Sequence, residues 1–214
     1  LFCLYIYKIK MNNIKVFEND LPDIDLSEEK TISLDCEALG LVLGRDPLTL
    51  IQLGLESKKF FIIKLNRKNY NAPNLVKLLS NSKIEFIMHY ARQDMLWLKY
   101  HLKVSPKNIF CTKVASKIAR TASSFHGYRD LVKEICGKDI SKKEQQSDWG
   151  NPNLSEKQIS YAAQDTEYLF EIRKKLSEML IRENRKDLFE KCMEVIPVIV
   201  DMEVSGFKLN IFEH

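Results

Sequence analysis

The sequence predicts an α/β fold, a mixed sheet with an antiparallel meander flanked by helices. Three observations predict it. Short runs rich in apolar and β-branched residues follow one another between residues 31 and 65, separated by turn or polar segments such as Gly44-Arg45-Asp46-Pro47 and Glu56-Ser57-Lys58. Beyond residue 72, helical spacing alternates with two further short strands. The later part of the chain is mostly helical, and a meander giving way to alternating helices and strands is the pattern of a layered α/β domain.

The strands of the meander are expected at 31–38, 49–55 and 59–65. A helix is expected at 72–79, a strand at 84–88, a helix over 91–101 and a short strand at 109–111. His126-Gly127 opens a further helix. Ser155-Glu156-Lys157-Gln158 has the form of a capping box, with Ser155 as N-cap and Gln158 three residues on. Ile159, Ala162, Ala163, Leu169, Ile172 and Leu176 then hold a 3.6-residue period, which reads as one continuous helix. A last helix is expected over 186–204.

With 214 residues, 45% hydrophobic and 29% charged, the chain is long enough for one domain with a sizeable core. The net charge of +4 is too mild to argue for nucleic acid by itself. The five cysteines are odd in number, scattered, and contain no Cys-x-x-Cys pair, which argues against a disulfide framework or zinc site and for a reducing cytoplasm. No apolar run is long enough to span a membrane. The apolar start carries its positive charges, Lys8 and Lys10, after the apolar run, the reverse of a secretory signal. Residues 1–10 are read as an upstream extension before Met11, the alternative being an extra edge strand, and 11–214 as a single domain.

Acidic residues carry the chemistry. Three Asp-x-Glu triplets occur: Asp35/Glu37, Asp165/Glu167 and Asp201/Glu203. Only the first ends an apolar strand, where both side chains leave one face while Leu34 and Cys36 point to the other, into the core. Two adjacent carboxylates resist ionising together, and a divalent cation removes that repulsion; oxygen ligands suit Mg²⁺ or Mn²⁺. In the other two triplets, on helices, i and i+2 diverge, and as triplets they read as solvated helix faces. Asp94 near a predicted helix start has an ordinary reading as a dipole stabiliser. Tyr161 and Asp165, four apart, share a helix face. Asp165 sits among Ala162, Ala163 and Leu169, so its charge needs a partner, and a metal is one.

As a set, Asp35-Cys36-Glu37, Asp94 and Tyr161-x-x-x-Asp165 resemble the three exonuclease motifs of the DEDD superfamily, tyrosine branch. The text between them resembles ribonuclease D: Asp35 to Leu41, then Arg45-Asp46-Pro47-Leu48-Thr49-Leu50-Ile51-Gln52-Leu53, then Cys111-Thr112-Lys113, His126-Gly127 and Lys142-x-x-Gln145-x-Ser147-Asp148-Trp149. The resemblance runs from about residue 31 to 176, and 210–214 resembles the tail of short, single-domain bacterial members. It departs in two places: Cys36 stands where the family usually has Thr and is expected to face the core, and Gln93 stands where it usually has Phe and is expected to bear on packing under the site.

The resemblance implies a ribonuclease H-like sheet and a 3′–5′ exoribonuclease releasing nucleoside 5′-monophosphates from single-stranded RNA 3′ ends, with precursor tRNA or other stable RNA as the family's usual substrates. Asp35, Glu37 and Asp165 would hold one divalent cation, Asp35 would bridge to a second supported by Asp94, and Tyr161 would orient the attacking water. It also implies substrate contacts at Ala38 through Leu41 and at Lys142 and Gln145, and a structural or supporting role for His89. Trp149 is read as packing the loop onto the catalytic helix rather than stacking on a base. Lys113, Lys117 and Arg120 form a basic stripe read as a solvated face. DNA 3′–5′ exonuclease activity is the alternative among enzymes, since no motif reads the 2′-hydroxyl. A binding module with a dead site is the alternative outside enzymes, and the filled catalytic positions argue against it.

Overall fold

The computed structural model describes residues 13–141 and 143–206. A six-stranded mixed sheet runs in the order β1-β4-β3-β2-β5-β6. Its centre is the expected meander: β2 (Thr31–Ala38), β3 (Leu48–Leu55) and β4 (Phe60–Lys64), paired antiparallel. β5 (Glu85–Met88) joins β2 in parallel and β6 (Ile109–Cys111) joins β5 in parallel, both where the sequence places strands.

One strand was not expected. β1 (Ile14–Glu18) pairs in parallel with β4 at the sheet edge, where Lys64 Nζ reaches Glu18 Oε1 at 2.6 Å. It is short and half-exposed, so it has little of the apolar signal that marks the central strands. Residues 1–10, read as an upstream extension, lie outside the described residues, as do residues 210–214.

Seven helices follow among the described residues: α1 (Pro73–Leu79), α2 (Ala91–Trp97), α3 (Thr112–Ala119), α4 (Tyr128–Cys136), α5 (Glu156–Glu167), α6 (Leu169–Arg182) and α7 (Lys186–Val204). A π-helical turn, Leu98–Leu102, continues α2 and completes the segment expected to be helical to residue 101.

The expected single helix through residue 176 is in fact two. Tyr168 ends α5 and precedes α6. The apolar period survives the break but changes partners. Ala162 of α5 packs with Leu50, Ile62 and Trp149 in a small cluster on one sheet face. Leu169, Ile172 and Leu176 of α6 belong to the main core. The phenol of Tyr128 makes the break tolerable: its hydroxyl donates to the Gln164 carbonyl at 2.7 Å and accepts from the Tyr168 N–H at 3.3 Å. Backbone groups freed at a helix end need such partners.

The two sheet faces are thus dressed unequally. The main core takes in residues from β2 to β6 and the helices α1 to α4, α6 and α7. On the other face α5 lies against β1 to β4. Gly54 of β3 permits that approach: a Cβ there would fall inside contact distance of Ser33 Oγ and 3.0 Å from Thr166 Oγ1 of α5.

Candidate active site

Three elements carry the acidic residues to one place. β2 supplies Asp35 and Glu37, whose register partners on β3 are Gln52 and Leu50. The ladder slips by one residue between Glu37 and Ala38, and Thr49 Oγ1 donates to the Glu37 carbonyl at 2.8 Å across the irregularity. Bulges of this kind re-aim side chains. α2 supplies Asp94, which is 5% exposed. Its helix starts from Tyr90 in the left-handed region (φ 67°), and Arg92 Nε donates to Glu203 Oε1 on α7 at 2.9 Å. α5 supplies Tyr161 and Asp165 one turn apart.

The start of α5 is fixed as the sequence predicts. Ser155 Oγ accepts from the Gln158 N–H at 3.3 Å, and Gln158 Oε1 accepts from the Ser155 N–H at 2.9 Å. The same Gln158 donates through Nε2 to the Asp148 carbonyl at 3.1 Å, tying the Ser147-Asp148-Trp149 loop to the helix. Trp149 is buried, 5.9 Å from the Tyr161 ring centroid, and packs as expected.

Carboxylate oxygens of Asp35, Glu37 and Asp165 all lie within 4.8 Å of one another. They line a cleft of about 350 Å³ shared with Asp94 and Tyr161. Asp94 stands outside that tight trio, beside Cys36, whose backbone N–H and thiol both favour its charged form.

Burial and mutual repulsion act against ionisation here. Burial alone pushes Asp35 up to about 7. Glu37 is pushed up to about 10 by burial and then by the charges of Asp35, Asp165 and Asp94. Asp94 and Asp165 are raised by burial and by Asp35. The Tyr161 hydroxyl is also raised, by burial first and then by Asp165, Glu37 and Asp35, so it stays neutral at physiological pH. Hard oxygen donors at this spacing, destabilised as bare anions, fit a divalent cation of the Mg²⁺ or Mn²⁺ type.

His89 lines the cleft. Thr112 Oγ1 donates to the Met88 carbonyl at 3.2 Å and lies 2.9 Å from His89 Nδ1, so the imidazole donates from Nδ1 and leaves Nε2 unprotonated. Burial, then Lys113, lowers its pKa to about 3, which keeps the ring neutral.

Several expectations change on contact with the geometry. Cys36 packs partly against the core, as expected, yet it also lines the cleft. Gln93 does not pack beneath the site but faces the cleft, because α2 turns that position toward the opening. Glu203 is no solvated face: its side chain is 12% exposed and holds Arg92. Arg120 leaves the basic stripe to bind Ser116, the Phe125 carbonyl and Glu134. Lys113 lies over the Tyr90 ring at 4.2 Å.

Of the expected substrate contacts, Gln145 lines the cleft. Ala38 is half-buried against the core, Leu41 is 81% exposed beside the loop after β2, and Lys142 lies outside the described residues. Sequence reading missed Tyr128, which braces the helix end next to Asp165 and lines the cleft. Its position directly after His126-Gly127 was the available signal.

Comparison with known proteins agrees with this geometry. Residues 24–181 match the 3′-5′ exonuclease family. Ribonuclease D of Xanthomonas oryzae is 32% identical over 154 residues, 72% of this chain and 42% of its own, so the chain spans less than half the length of the curated relatives it matches. Brucella melitensis NrnC matches nearly end to end, at 34% identity and TM-score 0.90 over 95% of this chain and 99% of that one. That protein has also been solved bound to pGG and with bound Mg²⁺. Escherichia coli RNase D, at 22% identity and TM-score 0.69, shares the fold over 85% of this chain. A match over residues 24–181, well over half the chain, places this protein in the 3′-5′ exonuclease family as a hydrolytic, ribonuclease D-like member.

Proposed function

We propose that this chain removes nucleotides from the 3′ ends of short single-stranded RNA, releasing nucleoside 5′-monophosphates in a reaction that depends on divalent cations. The observation that carries this reading is the approach of Asp35, Glu37 and Asp165 within 4.8 Å in a cleft lined also by Asp94 and Tyr161. We read 11–214 as one exonuclease domain, supported by a single sheet against whose two faces the helices pack.

Asp35, Glu37 and Asp165 would hold one Mg²⁺ or Mn²⁺, and Asp35 with Asp94 a second. When bound, such cations lower the pKa of the attacking water and offset the charge of the leaving 3′-oxygen. The chain's own groups do the rest. Tyr161, kept neutral by burial, positions the water through its hydroxyl and is too weak an acid to serve as the base. Water oxygen bonds to phosphorus and gives up a proton, the bond from phosphorus to the 3′-oxygen breaks, and that oxygen takes up a proton, leaving the shortened chain with a 3′-hydroxyl. His89, neutral and held by Thr112, keeps a second positive charge out of the cleft wall. Ala38, Leu41, Lys142 and Gln145 remain the proposed substrate contacts.

The choice of short RNA rests on the near end-to-end match to a protein solved bound to pGG. Precursor tRNA processing would rest on ribonuclease D proteins more than twice as long as the matched stretch. The test is release of monophosphates from 3′-labelled RNA of two to twenty nucleotides and from matched DNA, with Mg²⁺ and with EDTA. Loss of release in Asp35→Ala and Asp165→Ala, and with EDTA, supports the reading; release unchanged by either refutes it. Faster turnover of DNA than RNA would shift the substrate to DNA.

A further inference from the structure

Gln52 is a polar side chain in a place where an apolar one would fit. It is 0% exposed, and neither Nε2 nor Oε1 has a hydrogen-bond partner among the described residues. An unpaired buried amide is destabilising, and native proteins keep few of them.

Its surroundings suggest what it is for. Gln52 is the register partner of Asp35. Directly opposed residues of an antiparallel pair share a sheet face, with Cβ atoms about 4.5–5.5 Å apart. Alternation along β3 puts Leu50, Gln52 and Gly54 in one row. Leu50 clusters with Ala162 of α5, and Gly54 lies against Thr166. The carboxamide therefore sits between β3 and α5, beside Asp35 and below the turn that carries Asp165.

The donors that the other carboxylates have are already visible. Tyr161 serves Asp165, and the Cys36 N–H and thiol serve Asp94, while no donor to the Glu37 carboxylate is seen among the described residues. Asp35 has the Cys36 backbone N–H. The Asp35 carboxylate has several lone pairs to satisfy, and the Cys36 N–H accounts for one of them.

We propose that Gln52 is a positioning residue, whose Nε2 donates to the Asp35 carboxylate when the trio holds a divalent cation, fixing the orientation in which Asp35 faces that cation. This rests on the reading of the trio as a cation site. Donors behind metal-bound carboxylates are worth about 10- to 100-fold in affinity.

The experiment is calorimetric titration of Mn²⁺ into the wild type, Gln52→Met, Gln52→Leu and Asp165→Asn, paired with melting curves in EDTA. The expected result is a melting temperature in EDTA that is unchanged or higher in Gln52→Met, because an orphaned amide has been removed. Its Mn²⁺ affinity should fall about 10- to 100-fold. Turnover at fixed Mn²⁺ should fall through kcat, with KM for a short RNA unchanged. Wild-type affinity in both apolar variants overturns the inference while leaving the cation site standing. So does loss of the fold in both, which would make the amide a structural requirement. A wild type that binds no Mn²⁺ overturns the cation site itself, and this inference with it.

Discussion

Gly54→Ala tests whether the cation site depends on how closely α5 lies on the sheet. The added methyl would fall inside contact distance of Ser33 Oγ and 3.0 Å from Thr166 Oγ1. Ser33 can rotate away only by giving up its 3.2 Å bond to the Gly54 carbonyl, which at a buried site is worth about 1 kcal/mol. Thr166 yields either by giving up the 3.0 Å bond from its hydroxyl to the Ala163 carbonyl or by a lift of α5. Overpacking by one methyl in a dense layer costs about 1–3 kcal/mol, so the urea midpoint should fall by a corresponding amount at unchanged slope. Thr166 directly follows Asp165, so a lift of a few tenths of an ångström also moves Asp165 away from Asp35 and Glu37. A misplacement of about 1 Å can cost about 100-fold in rate. A measurable part of that loss, about tenfold, should therefore appear in kcat at saturating Mg²⁺. Ser33→Ala in the same background removes one of the two clashing oxygens, so the double variant should recover part of the stability, with a coupling energy of about 1 kcal/mol. A Gly54→Ala protein within about 0.5 kcal/mol of wild type and fully active would refute close approach as the reason for glycine here.

Tyr161→Phe should lower kcat at least about tenfold through lost positioning of water, while Mn²⁺ affinity measured by calorimetry stays at the wild-type value. Ser155→Ala removes an N-cap oxygen and should destabilise the protein by about 1 kcal/mol in urea titrations, while the bond from the residue-155 N–H to Gln158 Oε1 is kept. In the cation-free protein Asp35 titrates near 7 when folded and near 3.8 when unfolded, so the folded state holds the extra proton between those values. Its contribution is present below about pH 4 and is lost as pH rises toward 7. His89, lowered to about 3, pulls the opposite way over much of this range, so the comparison is made against Asp35→Asn. In EDTA the variant's melting temperature should rise relative to wild type as pH goes from 4 to 7, and saturating Mg²⁺ should close the gap.

How much of this was legible in the sequence depended on the range over which the cause acts. The meander, both parallel strands and the capping box at Ser155 follow from local pattern, and all stand where expected. The acidic constellation was legible because a strand shows i and i+2 on one face and a helix shows i and i+4, and both rules held. The break at Tyr168 was hidden because no local residue makes it. A phenol 40 residues earlier does, and the apolar period runs across it unchanged. Glu203 was misread for a related reason: its partner, Arg92, lies 111 residues away. Gln93 was misplaced because a residue next to a buried aspartate can face either core or cleft, and the direction of α2 decides between them.

The site also explains why its supports are so distributed. Four carboxyls crowded into one buried cleft repel one another whenever they ionise, so each carrier needs an anchor that does not run through the cluster. β2 has the meander ladder. α2 has Arg92 bound to Glu203 of α7. α5 has the capping box at one end and Tyr128 at the other. None of these anchors touches the cleft carboxylates through a charge, so the repulsion can be held until a cation offsets it. If that is how the fold is arranged, breaking an anchor and neutralising a carboxylate should compensate each other in the cation-free protein. At alkaline pH, where the cluster ionises, Arg92→Met should destabilise the wild type more than it destabilises Asp94→Asn, since the helix that Arg92 holds in place then carries no charge to be pushed out. Equal losses in the two backgrounds, measured by urea unfolding in EDTA, would mean that the α2 anchor bears none of the repulsion.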